Sequence, residues 1–307
     1  MEIIKGKTST PWKVCLYGVP GVGKTTLASL APSPLIVDLE DGCRHVDCWK
    51  TPYIKTWAEL QEAFKLASKS DRKTIVFDTA DGIEKILTAK VLTETIDEKT
   101  GKYRKNLADF GYQRGFEVLA ANWALIINWF EKLQSYGKNV VLVAHEKVEK
   151  FDSPDSENYG RWQLAVHKKC VPIIVQRMDA VFFMKWQAYV KAKNEKDFQG
   201  QSKQRAIGDG VRLIMAEERP CWVAKNRFNM GDKIVVRHDF WKHLGGSDDK
   251  EQDAMGRVRS RDDGRSDGAT ANDGDDSGHR EESGGAVKED RAVEYQVATD
   301  QGKGIEQ

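Results

Sequence analysis

The sequence predicts an α/β fold with a mostly parallel, twisted sheet that is flanked by helices. Five nearly continuous apolar runs are typical of strands that are buried on both faces, as in parallel sheets. These runs are residues 12–17, 34–39, 74–78, 139–144 and 178–185. Strand and helix patterns alternate along this region, which indicates right-handed βαβ units and a doubly wound sheet. A chain of 307 residues is long enough for one large domain and an appendage.

Helices are predicted between these strands from apolar residues at helical spacing. The predicted helices are residues 25–30, 57–68 and 110–136. The region after the fifth strand is less regular. Residues 189–190 extend that strand, and residues 191–210 are expected to form a mobile hairpin or loop. Short edge strands are predicted at residues 211–215, 221–224 and 233–236.

The composition changes sharply after Gly246, where Asp, Gly, Ser, Arg and Glu replace most large apolar residues. Such a segment cannot bury enough apolar surface to offset its ordering entropy. We therefore predict a domain over residues 1–246 and a disordered acidic tail over residues 247–307. The net charge is +9 in the first segment and −8 in the second. A basic body suits a polyanion partner, and the tail can screen that surface, bind a protein partner or be merely solvated.

A glycine-rich loop lies between the first predicted strand and the first predicted helix. It matches the P-loop pattern G-x-x-x-x-G-K-[ST], in which glycines let backbone N–H groups point at phosphate oxygens. We expect Lys24 to reach the β- and γ-phosphates of ATP and Thr25 to ligate Mg²⁺. No guanine-reading N-K-x-D element follows, which weakens a GTPase interpretation. The predicted nucleotide-binding residues are Gly18, Val19, Pro20, Gly21, Val22, Gly23, Lys24, Thr25 and Thr26.

Three further strands end in polar side chains. Strand 74–78 ends in Asp78, which has the form of a Walker B aspartate that holds Mg²⁺, although residues 78–82 would also serve as a turn. Glu40 follows the second strand and can face the γ-phosphate and activate water. Its alternative role, with Asp41, is to cap a helix. His145 ends the fourth strand and either senses the γ-phosphate or is an ordinary histidine at that edge.

Together these elements resemble the RecA-like recombinase and helicase core. The segment IVDLEDG is similar to the strand that carries the catalytic glutamate of RecA, and TIVFDTADG is similar to its Walker B strand. VVLVAHE resembles the strand whose polar end senses nucleotide. AKNRF, at residues 224–228, is similar to the KNRFG-type element of bacterial RadA. Within this group the chain resembles phage-encoded RecA-like ATPases, the phage nucleotide-binding proteins, some of which are single-strand annealing recombinases.

This resemblance implies a RecA-like P-loop NTPase core and roles for individual residues. Glu40 would activate water, Asp78 would hold magnesium and His145 would be the sensor. Lys225 and Arg227 would reach the γ-phosphate of a neighbouring subunit, which implies a homo-oligomer. The resemblance covers residues 12–240.

DNA contact is also implied, because RecA-like cores grip DNA through the loops after the fourth strand and near the fifth. In this chain basic and aromatic residues interleave over residues 147–176, where they can neutralise phosphates and stack on unpaired bases. Three acidic side chains dilute this patch, so a merely solvated surface is the alternative. The candidate residues are Lys147, Lys150, Phe151, Tyr159, Arg161, Trp162, His167, Lys168 and Lys169. A second basic group comprises Lys191, Lys193, Lys196, Lys203 and Arg205.

The five cysteines show no paired C-x-x-C spacing. Cys43, His45 and Cys48 are close enough in sequence for a metal site, but a fourth ligand is not obvious. The sequence shows neither a signal peptide nor an apolar run of about 18 residues that would span a membrane. We therefore expect a location in the cytoplasm, that of a bacterial host if the protein is phage-encoded.

The function expected from these features is ATP binding and hydrolysis in phage DNA recombination or replication, on single-stranded DNA. A non-motor ATP-dependent switch that acts through a protein partner is the main alternative. A small-molecule or nucleotide kinase is the weakest, because the sequence shows no Arg-rich lid segment and a kinase has no use for the KNRF element.

Overall fold

A computed structural model of the protein describes residue 5 and residues 10–96, 101–153, 157–196 and 202–244. The side chains of residues 189–207 and 209 lie outside this description. All of the described residues belong to one compact unit of the chain, Met1–Arg257. The predicted acidic tail and the predicted boundary at residue 246 lie outside the described residues.

Ten strands and five α-helices make up the described fold. The strands are β1 (Lys13–Gly18), β2 (Pro34–Asp38), β3 (Trp49–Lys50), β4 (Thr74–Asp78), β5 (Asn139–Phe151), β6 (Tyr159–Leu164), β7 (Ala180–Lys196), β8 (Ser202–Met215), β9 (Lys225–Asn226) and β10 (Lys233–Val235). The helices are α1 (Lys24–Ala28), α2 (Trp57–Lys69), α3 (Ala80–Glu94), α4 (Arg114–Ser135) and α5 (Val171–Arg177).

The main sheet has the strand order β10-β8-β7-β1-β5-β4-β2-β3, and β6 and β9 pair with β5 and β7. The six strands from β7 to β3 in this order run parallel to one another. Strands β8 and β10 add an antiparallel edge. The predicted α/β class with a mostly parallel sheet is therefore confirmed.

Each central strand is apolar on both faces because each face packs against a different layer. On one face of β1, Cys15 and Tyr17 contact the core beneath α2, α3, α4 and α5. On the other face, Val14 and Leu16 contact the core beneath α1 and residues 240–244. This two-sided burial explains the continuous apolar runs, since each fully buried aliphatic or aromatic side chain contributes about 1.5–3 kcal/mol. Among the described residues, no helix has the length and apolar character needed to cross a bilayer.

The C-terminal segment, a 3₁₀ helix over Phe240–Leu244, packs directly on the start of the fold. The Trp241 ring stacks on Trp12 with 5.2 Å between ring centroids. Its Nε1–H also donates to the Leu27 carbonyl of α1 at 2.7 Å. The segment therefore fixes the helix that follows the P-loop, although it lies more than 200 residues further along the chain.

Several predicted boundaries differ from the structure. Strand β5 continues to Phe151 and β7 to Lys196, because each continues into an antiparallel hairpin. The predicted hairpin or loop at residues 191–210 contributes the end of β7 and the start of β8. The strand predicted at residues 221–224 is wrong, since pairing there is limited to isolated bridges at Trp222 and the next strand is β9. The long helix begins later than predicted because Tyr112 and Gln113 have positive φ.

Helix α3 was not predicted from the sequence, where residues 78–82 were considered as a turn. Instead, Thr79 begins a helix, because its side chain accepts a hydrogen bond from the Gly82 N–H at 3.2 Å. Gly82 allows the first turn to approach the end of β2, since a Cβ there would lie 2.7 Å from the Leu39 carbonyl oxygen. Interpreting residues 78–82 as a turn therefore missed a helix whose first turn lies against Leu39, next to Glu40.

Candidate nucleotide-binding and hydrolytic site

The predicted P-loop connects the end of β1 to α1. Gly21 and Gly23 have φ values of 73° and 90°, which glycine adopts at little cost. Gly18 is required for packing, because a Cβ there would lie 1.9 Å from the Met184 carbonyl oxygen of β7. The following helix is shorter than the predicted 25–30, and tighter turns replace its end at Leu30. Because the helix is short, the part of this segment that suits phosphate oxygens best is the loop, whose backbone N–H groups can point at them.

Lys24 is buried at the start of α1, with 6% of its surface exposed. Its Nζ donates to the carbonyls of Gly18 at 2.7 Å and Val19 at 3.1 Å. Burial lowers the pKa of Lys24, and the largest opposing effect comes from the charge of Glu146. An ammonium that is held in a desolvated loop gains strongly from a phosphate partner.

Thr25 and Asp78 bring two oxygen ligands together beside the loop. The Thr25 hydroxyl donates to Asp78 Oδ2 at 2.6 Å, and the Asp78 side chain is buried at the end of β4. Burial raises the pKa of Asp78, although the Thr25 hydrogen bond opposes this. A hydroxyl and a carboxylate are hard oxygen donors of the kind that Mg²⁺ prefers. These two residues therefore fit the predicted magnesium site.

The loop after β2 places Glu40 at the same edge of the sheet. The Asp38 carboxylate accepts hydrogen bonds from the backbone N–H of Glu40 at 3.2 Å and of Cys43 at 3.4 Å. These bonds bend the chain back directly after the strand. The alternative in which Glu40 and Asp41 cap a helix is wrong, because no helix follows and Asp41 pairs with Arg44.

Glu40 meets His145 and Asp81, a residue of the first turn of α3. His145 Nδ1 lies 2.7 Å from Asp81 Oδ2 and 3.7 Å from Glu40 Oε1. The backbone N–H of His145 also donates to Asp81 Oδ1 at 3.2 Å. Strands β1 and β5 place His145 level with Gly18, so this cluster borders the P-loop.

Burial and the neighbouring charges shift the pKa values of all three groups. Burial, together with the hydrogen bond to Asp81, raises the pKa of Glu40 to about 7. Burial acts in the same direction on Asp81, but hydrogen bonds with His145 and Glu40 bring the pKa of Asp81 below its usual value. The Asp81 hydrogen bond raises the pKa of His145. Near neutral pH, Asp81 is therefore the anion of the cluster, and Glu40 is the carboxyl group that titrates.

Residues 10–228 match the model of a family described as an AAA domain. The chain belongs to this AAA-domain family. The flagellar accessory protein FlaH of Methanocaldococcus jannaschii is a similar solved structure, with 11% identity and a TM-score of 0.36 over 75% of this chain and 86% of FlaH. A KaiC-like protein of Pyrococcus horikoshii OT3 shares 12% identity, with a TM-score of 0.30 over 68% of this chain and 88% of that protein. A comparison with curated proteins gives no match.

The two predicted fingers of this AAA domain, Lys225 and Arg227, lie at the opposite edge of the sheet. Lys225 Nζ donates to the carbonyls of Val175 and Gln176 near the end of α5. Arg227 contacts the Asp179 carboxylate at 3.3 Å, and Asp179 is bonded to the Lys13 backbone at the start of β1. At about 3.3 Å per residue, the P-loop at the other end of β1 is roughly 17 Å away.

The edge that carries the P-loop also holds functional candidates that the sequence did not indicate. Asp81 is one, and the sequence signal that could have identified it is its position three residues after Asp78. Glu146 is a second, since its Oε2 is buried and has no hydrogen-bond partner among the described residues. Arg212 is a third, because an alanine methyl at Gly23 would lie 2.6 Å from its Nη1 atom. Arg212 is distant in sequence from the P-loop, so only the tertiary fold could identify it.

Arg212 also lines a cleft of about 460 Å³ beside α1. The cleft is formed by Thr26, Leu27, Leu30, Arg212, Val236, Arg237, His238 and Asp239. It combines apolar side chains with polar groups next to the last predicted nucleotide-binding residue, Thr26. The cleft is half open to solvent, and its volume lies in the range of small-molecule sites.

Cys43, His45 and Cys48 were considered as a metal site. Cys43 is buried, and its Sγ lies 3.8 Å from Asp78 Oδ2. Within the part of the chain that the structure describes, the side chains that bring three potential ligand atoms within 4.8 Å of one another are Glu40, Asp81 and His145. The Cys43, His45 and Cys48 set is therefore not brought together as a group of metal ligands.

Proposed function

We propose that this AAA domain binds ATP with Mg²⁺ and hydrolyses it, with Glu40 accepting a proton from the attacking water. The observation that supports this most directly is that the P-loop, the Thr25–Asp78 pair and Glu40 meet at one edge of the sheet. Lys24 would bind the β- and γ-phosphates, and Thr25 and Asp78 would hold the metal. Bound Mg²⁺ would neutralise phosphate charge. Glu40, with a pKa of about 7, is available as a base at neutral pH.

The cleft beside α1 supports a nucleoside triphosphate over inorganic phosphate as the ligand. It begins at Thr26, directly after the proposed phosphate-binding residues, and has room for a base and ribose. Arg212 lies between this cleft and Gly23, where its guanidinium can contact a phosphate oxygen.

Release of inorganic phosphate from Mg-ATP by the purified chain tests this proposal. We expect multiple turnovers that stop when EDTA removes the metal. Phosphate transfer to an acceptor other than water would instead support a kinase. Tight ATP binding without turnover would support the non-motor switch.

We propose further that the protein acts on single-stranded DNA in recombination or replication, as the resemblance to phage-encoded RecA-like ATPases implies. Strand β5 supports this, because it continues from His145 into a hairpin with β6 that projects beyond the parallel sheet. Phe151 and Tyr159 lie together at the end of this hairpin, with ring centroids 5.4 Å apart. Lys150 and Lys168 are exposed in the same region.

Some of the predicted DNA-binding side chains are engaged within the protein. The Trp162 ring stacks on Phe183, and the His167 ring stacks on Phe116 with 4.1 Å between centroids. Arg161 pairs with Glu218. Phe151 is also partly engaged, because the Arg161 guanidinium lies 5.0 Å from its ring centroid. Tyr159, Lys150 and Lys168 are therefore the stronger candidates, and the side chains of Lys191, Lys193, Lys196, Lys203 and Arg205 lie outside the described residues.

The variant K150A/K168A is expected to weaken binding to single-stranded DNA and to reduce its salt dependence. Each lost phosphate contact should lower the slope of log K against log salt by about 0.7. Fluorescence anisotropy with a labelled oligonucleotide across a salt series measures this slope, and K65A on the exposed face of α2 is the matched control. An unchanged slope would exclude these lysines from DNA contact, and ATP turnover indifferent to DNA would favour the switch.

Because Lys225 and Arg227 are far from the P-loop of their own chain, we propose that they act on a neighbouring subunit. Mixing R227A and E40Q protomers tests this. Each variant alone should be nearly inactive, since the loss of an arginine finger costs about 10³–10⁵ in turnover where it has been measured. In mixtures, an R227A site can receive the arginine of an E40Q neighbour, so phosphate release should reappear. Additive activity without any recovery would contradict action between subunits.

A further inference from the structure

Asp81 makes more contacts at the hydrolytic edge than its place in a helical turn requires. One carboxylate oxygen faces the His145 ring at 2.7 Å, and the other accepts the His145 backbone N–H at 3.2 Å. Asp81 also lies beside the Glu40 carboxyl group, because one ligand atom each of Glu40, Asp81 and His145 falls within 4.8 Å of the other two. Its side chain is only 17% exposed, so these contacts are shielded from water.

These contacts join three separate elements of the fold. Glu40 belongs to the loop after β2, Asp81 to the first turn of α3, and His145 to β5. Gly82 makes this junction possible, because the absence of a side chain lets α3 approach Leu39 beside Glu40. A change at His145, where β5 leaves the parallel sheet, therefore has a direct route to the Glu40 loop through one carboxylate.

We propose that Asp81 is a positioning residue that couples His145 to Glu40 in the hydrolytic step. This proposal rests on the proposed function. By binding Nδ1, Asp81 fixes the orientation of the imidazole ring. The other ring nitrogen, Nε2, can then bind a phosphate oxygen or a group of the β5–β6 hairpin. By holding the ring in place, Asp81 keeps the imidazole next to the proton acceptor, since His145 Nδ1 lies 3.7 Å from Glu40 Oε1.

Six charged or polar groups face this junction from the elements around it. Besides the three cluster residues, Lys24 of α1 and Asp78 of β4 interact with them through charge, and the Thr79 side chain lowers the pKa of Glu40. Removing the Asp81 charge lowers the pKa of His145, because its strongest stabilising partner is lost. It also lowers the pKa of Glu40, because a neighbouring anion and hydrogen-bond acceptor disappear.

The D81N variant tests this role, with D41N as its matched control. Asp41 neighbours Glu40 in sequence but pairs with Arg44. In D81N we expect the acidic limb of the kcat/KM profile for ATP to move to lower pH by about one unit and kcat at pH 8 to fall about 10-fold, with KM within twofold of the wild-type value. In D41N the profile should stay in place. An unmoved acidic limb in folded D81N, or a loss confined to KM, would overturn the proposal.

Titration of His145 by NMR gives a readout that does not need turnover. Its midpoint should fall in D81N and should stay raised in D81E, which keeps the charge but moves the carboxylate and should still lower kcat. If wild-type protein fails to hydrolyse ATP while the His145 midpoint shifts in D81N, the proposed function fails and the Asp81–His145 contact stands. If D81N does not fold, wild-type kcat in D81E overturns the proposal.

Discussion

The K24A variant is expected to bind Mg-ATP at least 100-fold more weakly than the unmodified chain. Lys24 is the buried ammonium of the P-loop, and it donates only to backbone carbonyls of Gly18 and Val19 among the described contacts. Removing one partner of a buried, hydrogen-bonded charge pair costs about 2–5 kcal/mol of binding free energy. Turnover should fall with binding, because the same ammonium also faces the charge that develops on the γ-phosphate.

Calorimetry with a slowly hydrolysed ATP analogue measures this loss, and K65A provides a lysine-to-alanine control outside the site. Stability separates a binding effect from unfolding. Burial lowers the pKa of Lys24, which means that the folded state disfavours its charged form. The melting temperature of K24A without nucleotide should therefore equal or exceed that of the unmodified chain. Equal affinity of K24A and wild type for Mg-ATP would remove the basis of the proposed chemistry.

The sequence was sufficient to predict the P-loop and the strand ends around it because these features are local. A glycine pattern between an apolar strand and a helix requires a particular backbone, and β1 and α1 have it. Thr25 and Asp78 were assigned to one metal site from two separate motifs, and they lie 2.6 Å apart. Parallel strands bring their carboxyl ends to one edge, so residues that end strands are predicted to meet.

The features that were missed depend on contacts between distant segments. Helix α3 begins at Thr79 with two residues of low helix propensity, Asp81 and Gly82, and is stabilised by packing against α4 and the end of β2. Arg212 reaches the P-loop only because β8 pairs with β7 next to β1. The junction of Glu40, Asp81 and His145 likewise requires all three elements in place.

Hairpin pairing explains why β5 and β7 are longer than predicted. Strand β5 was expected to end at Ala144, where its continuous apolar run ends. It continues for seven more residues because β6 supplies a backbone partner, and residues 146–151 are mixed in character because they pair outside the central sheet. The hydrophobic pattern therefore predicts burial better than it predicts strand length.

The E40Q variant is expected to retain ATP and to hydrolyse it about 10²–10⁴-fold more slowly, which is the usual contribution of a positioned general base. Glutamine keeps the size of the side chain but cannot take a proton from water. The wild-type rate should rise between pH 6 and pH 8, because Glu40 has a pKa of about 7 and must be ionised to act. Single-turnover phosphate release measures the step without interference from product dissociation.

The same substitution should increase the free energy of unfolding, although it slows hydrolysis. The pKa of Glu40 is raised in the folded protein, so its stabilising contribution is complete below the unfolded pKa of about 4.3 and is lost as the pH rises through 7. At pH 8.5 wild type carries the cost of a half-buried carboxylate beside Asp81, and E40Q does not. We expect E40Q to be more stable by on the order of 1–3 kcal/mol at pH 8.5 and by much less at pH 5.

Thermal unfolding of both proteins at the two pH values separates this effect from a general change in packing, which would not depend on pH. D41N, next to Glu40 but paired with Arg44, should lack the pH-dependent gain. Slow hydrolysis together with a gain in stability would mean that Glu40 activates water and also destabilises the folded protein. Such a combination is expected of a buried ionisable group at a functional site. Wild-type turnover by E40Q would mean that another group is the base. Glu146 would then be the next residue to replace, because its charge has the largest effect on Lys24.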